Sequence, residues 1–143
     1  MPYRYLENIA IADIAFEAYG SSVGEIFIAA GDALTNVMVE NLDVIEKNTS
    51  KSILCDAESL EMLLHKMLDE LVYYKDAEQL LLRVAHVDIV QENDTWRLNA
   101  QVYGERIDPV KHELNVDVKA VTFHRFALEQ TAEGWKVTVV LDI

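Results

Sequence analysis

Trp135-Lys-Val-Thr-Val-Val-Leu-Asp142-Ile143 is the stretch on which the fold turns. Its odd positions (Trp135, Val137, Val139, Leu141, Ile143) are apolar, and three of its four even ones (Lys136, Thr138, Asp142) are polar. That period of two predicts a strand with one buried face. With Ile143 as the last residue, an ordered strand holds the terminal α-carboxylate beside the carboxylate of Asp142. Both acids are ionised at neutral pH, so the spot either repels its neighbours or holds a cation.

Working outward, a second alternating stretch lies near the other end of the chain. Ile14, Phe16 and Ala18 point one way, Asp13, Ala15, Glu17 and Tyr19 the other, and Gly20 ends the strand. Asp13 falls on the more polar face, at or near the strand's start. Ser22-Val-Gly-Glu25 has the form of a capping box. Behind it Val23, Ile26, Phe27, Ala30, Ala33, Leu34, Val37 and Met38 recur at helical spacing. Gly31 inside that helix costs roughly 1 kcal/mol relative to alanine, which close packing against a neighbour would explain. Leu60, Leu63, Leu64, Met67, Leu68, Leu71 and Val72 mark a second amphipathic helix.

Residues 49–55 read as a strand between the helices. Residues 81–91 and 95–103 form a hairpin around Asn93-Asp94, a good turn pair. Residues 104–113, with Asp108-Pro109, are the longest irregular stretch, and 116–130 and 135–143 complete a second hairpin around Glu133-Gly134. Strand, helix, strand, helix and then four strands predict an α+β fold: two amphipathic helices packed on a mostly antiparallel sheet, a sandwich rather than a doubly wound parallel sheet. Residues 1–143 fit a single domain.

Composition narrows the function classes. The apolar fraction of 51% suits a globular chain, and no stretch has the length of a membrane span. The N-terminus lacks a secretory signal. One cysteine, Cys55, excludes an internal disulfide framework and fits a reducing compartment, so the expected location is the cytoplasm. The net charge of −13 repels nucleic acid, for which affinity rests largely on phosphate neutralisation. Direct nucleic-acid binding is therefore not expected. A basic protein partner or a metal ion suits the charge, as does solubility alone.

The familiar motifs are absent: no GxxxxGK[ST], GxGxxG, HExxH or CxxC occurs. A lone cysteine makes no thiolate zinc site, and nothing places Cys55 beside a histidine, so it reads as an apolar thiol. Any chemistry is carried by oxygens. Asp13 and Asp142 each sit in or beside a strand rich in Ile, Val or Phe, where an unpaired carboxylate is costly. Each is solvated at a strand end, paired with Lys119 or an arginine, or bridged by a hard cation with the Ile143 carboxylate as third donor. All-oxygen ligation suits Ca²⁺, Mg²⁺ or Mn²⁺ rather than Zn²⁺. His124, in Lys119-Ala-Val-Thr-Phe-His124, reads as a strand histidine, with a ligand or proton-transfer role as the alternative. His112 is expected to be an exposed loop histidine. His65, beside the second helix's apolar stripe, and His86 carry no assigned role. Tyr73 and Tyr74 read as core and rim packing. Asp69 lies close to the stripe and is expected either on the solvated face or turned toward a polar partner within the fold.

Four stretches resemble the archease family in order and spacing: Ala12-Asp13-Ile14 followed by Ala18-Tyr19-Gly20; Leu68-Asp69-Glu70-Leu71; Gly104-Glu105 with Asp108 and His112; and Lys119-Ala-Val-Thr-Phe-His124. The terminal Val140-Leu141-Asp142-Ile143 is a fifth. The likeness spans essentially the whole chain. Four positions depart from it: Ala10 and Ile11 replace the family's usual His-Thr, Gln79 stands where glycine is frequent, and Asn115 where lysine is. The resemblance implies an archease-like sandwich that is not itself a ligase. It implies a protein cofactor of the RtcB-type RNA ligase, which seals tRNA halves after intron removal. Such a cofactor promotes the ligase's guanylylated histidine intermediate and multiple turnover. The family's divalent-metal site maps onto Asp13, Asp142 and the carboxylate of Ile143, and Lys119 is a further functional position. Two readings compete. A metal-dependent phosphoester or nucleotide hydrolase would need His124 or Asp69 as its base, and a general adaptor or chaperone would use the ion structurally.

Overall fold

The alternating stretch at the end of the chain becomes the hub of the larger of two sheets. The structure, a computed structural model, describes residues 2–7 and 13–143. Strands β1 (Tyr3–Leu6) and β2 (Asp13–Gly20) lead into helix α1 (Val23–Met38), and β3 (Thr49–Ala57) leads into α2 (Leu60–Glu78). Strands β4 (Leu80–Glu92), β5 (Thr95–Arg106), β6 (Ala120–Val121), β7 (Ala127–Thr131) and β8 (Gly134–Asp142) follow. The larger sheet has the order β1-β2-β8-β6, with β7 also paired to β8, and the smaller has the order β3-β5-β4. Every ladder is antiparallel, so the α+β sandwich expected from the sequence is the fold. On β8 the apolar face is buried at Val137, Val139 and Leu141, while Lys136, Thr138 and Asp142 keep partial exposure.

Helix α1 touches both sheets because one side of it is built of small residues. Ala29, Ala30, Gly31 and Ala33 are all buried. A Cβ at Gly31 would lie 2.9 Å from Val84 Cγ2 and 3.5 Å from Leu71 Cδ1, so close packing accounts for the glycine. Thr35 Oγ1 donates to the Leu82 carbonyl at 2.9 Å, and Tyr5 Oη donates to the Ala33 carbonyl at 2.8 Å. These bonds tie the helix to β4 on one side and β1 on the other. The Ser22 hydroxyl caps the helix by accepting the Glu25 amide at 3.2 Å. The expected capping box is only half made, because the Glu25 carboxylate reaches past Ser22 to the Ser21 amide at 2.6 Å. Helix α2 is capped by Ser59, buries Leu63, Leu64, Met67, Leu68, Leu71 and Val72, and ends on Gln79 in the left-handed region (φ 55°).

Two boundaries differ from the sequence reading. Gly104 belongs to β5, not to a loop; a Cβ there would sit 1.8 Å from the Leu81 carbonyl oxygen, so glycine is needed for strand contact. The irregular segment accordingly runs over residues 107–119. Residues 116–130 are not one strand, since β6 and β7 both pair with β8 but are separated by a turn. The cause is local. The Thr122 amide and hydroxyl both donate to the Val140 carbonyl, at 3.0 and 2.9 Å, and the hydroxyl accepts the His124 amide at 3.2 Å, which turns the chain away after Thr122. Strand β1, four residues long, has no periodic signal in the sequence.

Candidate functional site

The β2–β8 ladder sets Asp13 directly opposite Asp142. Residues so paired project to one face with Cβ atoms roughly 4.5–5.5 Å apart. On the other side of β8, Ala120 pairs with Asp142, and the Lys119 amide donates to the Asp142 carbonyl at 2.8 Å. Residues 13, 119 and 142, with Ile143 following, thus converge at one end of the larger sheet. Asp13, Asp142 and Ile143 are half-buried, and Lys119 is exposed. Among the described residues neither aspartate is ion-paired with Lys119 or an arginine; Lys136, the lysine of β8, pairs instead with Glu17 and Glu129. Ala10, Ile11 and Ala12 lie outside the described residues.

A groove of about 520 Å³ opens beside Asp13. Tyr5, Leu6, Ile14, Val37 and Val116 give it apolar walls, and Glu40 adds a second carboxylate, which accepts from Asn115 Nδ2 at 2.8 Å. Among the described residues no three His, Cys, Asp or Glu side chains converge as a metal-binding group. At this end of the sheet the described side chains therefore offer two aspartate carboxylates, those of Asp13 and Asp142.

Asp69 does turn toward a polar partner within the fold. One of its oxygens lies 3.2 Å from His65 Nδ1, one helical turn earlier on α2. His65, 2% exposed, meets the Val121 carbonyl at 3.0 Å through Nε2. Burial pushes the Asp69 carboxyl upward and His65 partly opposes this.

His112 is not an exposed loop residue, being only 1% exposed. The Asp108 amide donates to its Nδ1 at 2.9 Å, which leaves Nε2 to donate to Glu105 at 2.9 Å and fixes the tautomer. Glu105 also accepts from the Glu46 amide at 2.9 Å, Asn48 Nδ2 at 3.0 Å and Lys111 Nζ at 2.9 Å. Burial alone would raise its carboxyl, but the Lys111, Glu46 and His112 donors outweigh it and hold the group down to about 2. This cluster pins segment 107–119 to β5. Lys75, buried on α2, donates to Asp117 at 2.7 Å and to the Val118 carbonyl at 2.6 Å, pinning the segment's far end next to Lys119.

His124 is exposed in the turn between β6 and β7, not on a strand, and neither it nor Asp69 hydrogen-bonds to Asp13 or Asp142. Cys55 is half-buried, with its thiol pushed up by burial. Tyr73 and Tyr74 stack edge to face, the first exposed and the second packed against the core. The sequence reading missed His65 and Lys75. The spacing of His65 to Asp69 was a usable signal, whereas the Asp117 and Val118 partners of Lys75 come from 42 and 43 residues away.

Comparison with known proteins agrees along the full length. A profile of the Archease protein family (MTH1598/TM1083) matches residues 3–143. The chain is 38% identical over 133 residues to the protein archease of Pyrococcus abyssi, covering 92% of this chain and 93% of that one. It is 36% identical over 142 residues to the protein archease of Methanosarcina barkeri, covering 99% and 95%. The solution structure of Methanobacterium thermoautotrophicum protein 1598 superposes with a TM-score of 0.85 at 30% identity, covering 99% of both chains. The crystal structure of an archease, possible chaperone, from Thermotoga maritima has a TM-score of 0.59 at 20% identity over 96% and 97%, a likeness of fold. The chain belongs to the archease family.

Proposed function

We propose that this protein is a non-catalytic, cytoplasmic cofactor of an RtcB-type tRNA-splicing RNA ligase. In this reading it promotes guanylylation of the ligase and so allows multiple turnover. Asp13, Asp142 and the carboxylate of Ile143 hold a divalent cation, and Lys119 borders them.

The observation that carries the reading is the cross-strand pairing of Asp13 with Asp142, without a cationic side chain on either among the described residues. Like charges directly opposite each other destabilise a ladder, so the arrangement favours a bound cation. The donors are all hard oxygens, which suits Ca²⁺, Mg²⁺ or Mn²⁺. Such an ion would supply charge stabilisation at nucleotide phosphates. The residues of this chain orient it, with the apolar walls beside Asp13 limiting water. The net charge of −13 favours docking at the basic, phosphate-binding mouth of a ligase. The name "possible chaperone" given to the Thermotoga maritima protein is in keeping with a protein partner.

A hydrolase reading gains nothing from the geometry, because Asp69 is engaged by His65 and His124 stands at a turn tip. The test is ligase guanylylation with GTP under multiple-turnover conditions, with and without the protein. Wild type should stimulate and Asp13→Ala, still folded, should not. Full stimulation by Asp13→Ala overturns the metal site, and no stimulation by wild type overturns the cofactor role.

A further inference from the structure

One turn runs against the charge of the rest of the molecule. Lys119, His124 and Arg125 are all exposed. None of the three is ion-paired among the described residues, whereas Arg4, Lys75, Arg83, Lys111 and Lys136 are each tied to a carboxylate. The Phe126 amide donates to the Phe123 carbonyl at 3.3 Å, closing a four-residue turn with His124 and Arg125 at its tip. Arg125 takes the left-handed conformation (φ 56°).

Phe123 is 63% exposed. A single exposed phenylalanine is ordinary in itself, but this ring is held in place. It lies parallel to the His65 imidazole, with 3.9 Å between centroids and 5° between planes. His65 is anchored by the Val121 carbonyl and Asp69, and Phe126 meets it edge-on at 5.0 Å. One face of Phe123 rests on His65 while the ring stays 63% exposed, and two cations without an ion-pair partner among the described residues, Lys119 and Arg125, lie four residues before it and two after it in the chain.

We propose that this turn receives one unpaired nucleotide of a single-stranded RNA, the base stacking on the exposed ring of Phe123 and the flanking phosphates meeting Arg125 and Lys119. Aromatic platforms accept any base because every base has a π-face, and neighbouring cations follow the backbone. An acidic peptide would use the cations but leave the fixed ring without a planar partner. The acids near the turn, Asp69 and Glu61 on α2 and Asp142 on β8, confine the contact to one or two nucleotides. The inference departs from the expectation that overall charge excludes nucleic acid. It rests on the proposed function only in choosing RNA over DNA.

The experiment is a titration of the ¹⁵N-labelled protein alone with a single-stranded RNA tetranucleotide at low salt, followed by amide shifts. The expected result is shifts centred on residues 119–126. Phe123→Leu, which keeps an apolar cover over His65, should weaken binding roughly tenfold. An RNA abasic at the stacked position should weaken binding to wild type by the same factor, which keeps the test valid if the variant folds poorly. Arg125→Gln should flatten the dependence of log affinity on log salt by about 0.7. Shifts elsewhere, equal affinity for the abasic strand, or an equal response at the turn to GTP alone would each overturn the proposal. Because no ligase is present, this outcome is separate from the guanylylation assay. RNA binding with no ligase stimulation would sink the cofactor role alone, and stimulation without RNA binding would sink the nucleotide contact alone.

Discussion

Asp13 stands directly opposite Asp142 in the β2–β8 ladder, two like charges on one face at the end of the larger sheet. Without a cation this pair opposes the register that β2 and β8 otherwise share over eight residue pairs, by roughly 0.2–1 kcal/mol. Asp13→Asn should therefore raise the unfolding temperature slightly in the presence of a chelator. In wild type, Ca²⁺, Mg²⁺ or Mn²⁺ should stabilise by RT ln(1 + [L]/Kd), about 2.7 kcal/mol at a hundredfold excess over Kd. The variant should lose that gain. Thermal unfolding with and without each ion checks both, and a wild type indifferent to all three ions would contradict the site.

The Glu105 cluster predicts a defined acid sensitivity. Its carboxyl is held at about 2 in the fold against an ordinary 4.5. A carboxyl depressed by folding adds stability that is complete above the unfolded value and fades as pH falls from about 4.5 to about 2. Glu105→Gln should cost about 2 kcal/mol at neutral pH, the worth of hydrogen bonds to a charged group. Urea midpoints measured at several pH values should show the gap between wild type and variant closing toward pH 2. A gap independent of pH would mean that the charge contributes nothing.

Gly104→Ala should be among the most damaging single-methyl changes in the chain. The added Cβ would sit 1.8 Å from the Leu81 carbonyl oxygen, a backbone atom that cannot rotate away. The β4–β5 ladder has to open locally, at a cost of more than about 3 kcal/mol, in the range kept for severe core or backbone strain. Chemical denaturation checks it; a loss under 1 kcal/mol would mean that the strands separate easily here.

Periodicity made the strands and helices readable in advance, because alternation at Trp135 to Ile143 and helical spacing at Val23 to Met38 each record a single buried face. Non-local pairing left no such trace. That Asp13 and Asp142 are strand acids is legible in the sequence; that they face each other across 129 residues follows only from the sheet order. His112 looked exposed because Glu105, its buried partner, reads as loop when β5 is ended at residue 103. At the break over residues 122–126 the Thr122 hydroxyl bonds to Val140 on the neighbouring strand and to the His124 amide. Local patterns cannot announce such a bond.

Gln79 offers a stabilising change that the same reasoning identifies. It caps α2 in the left-handed region at φ 55° and ψ 40°, its amide donating to the Tyr74 carbonyl. A side chain pays roughly 1–2 kcal/mol for that conformation, and glycine does not. The larger conformational freedom of glycine in the unfolded chain takes back part of the gain. Gln79 is exposed, so little packing is lost. Gln79→Gly should therefore stabilise the fold by about 0.5–1 kcal/mol, with the denaturant slope unchanged because no buried surface is altered. A destabilised variant would show that the Gln79 side chain makes a contact worth more than the left-handed strain.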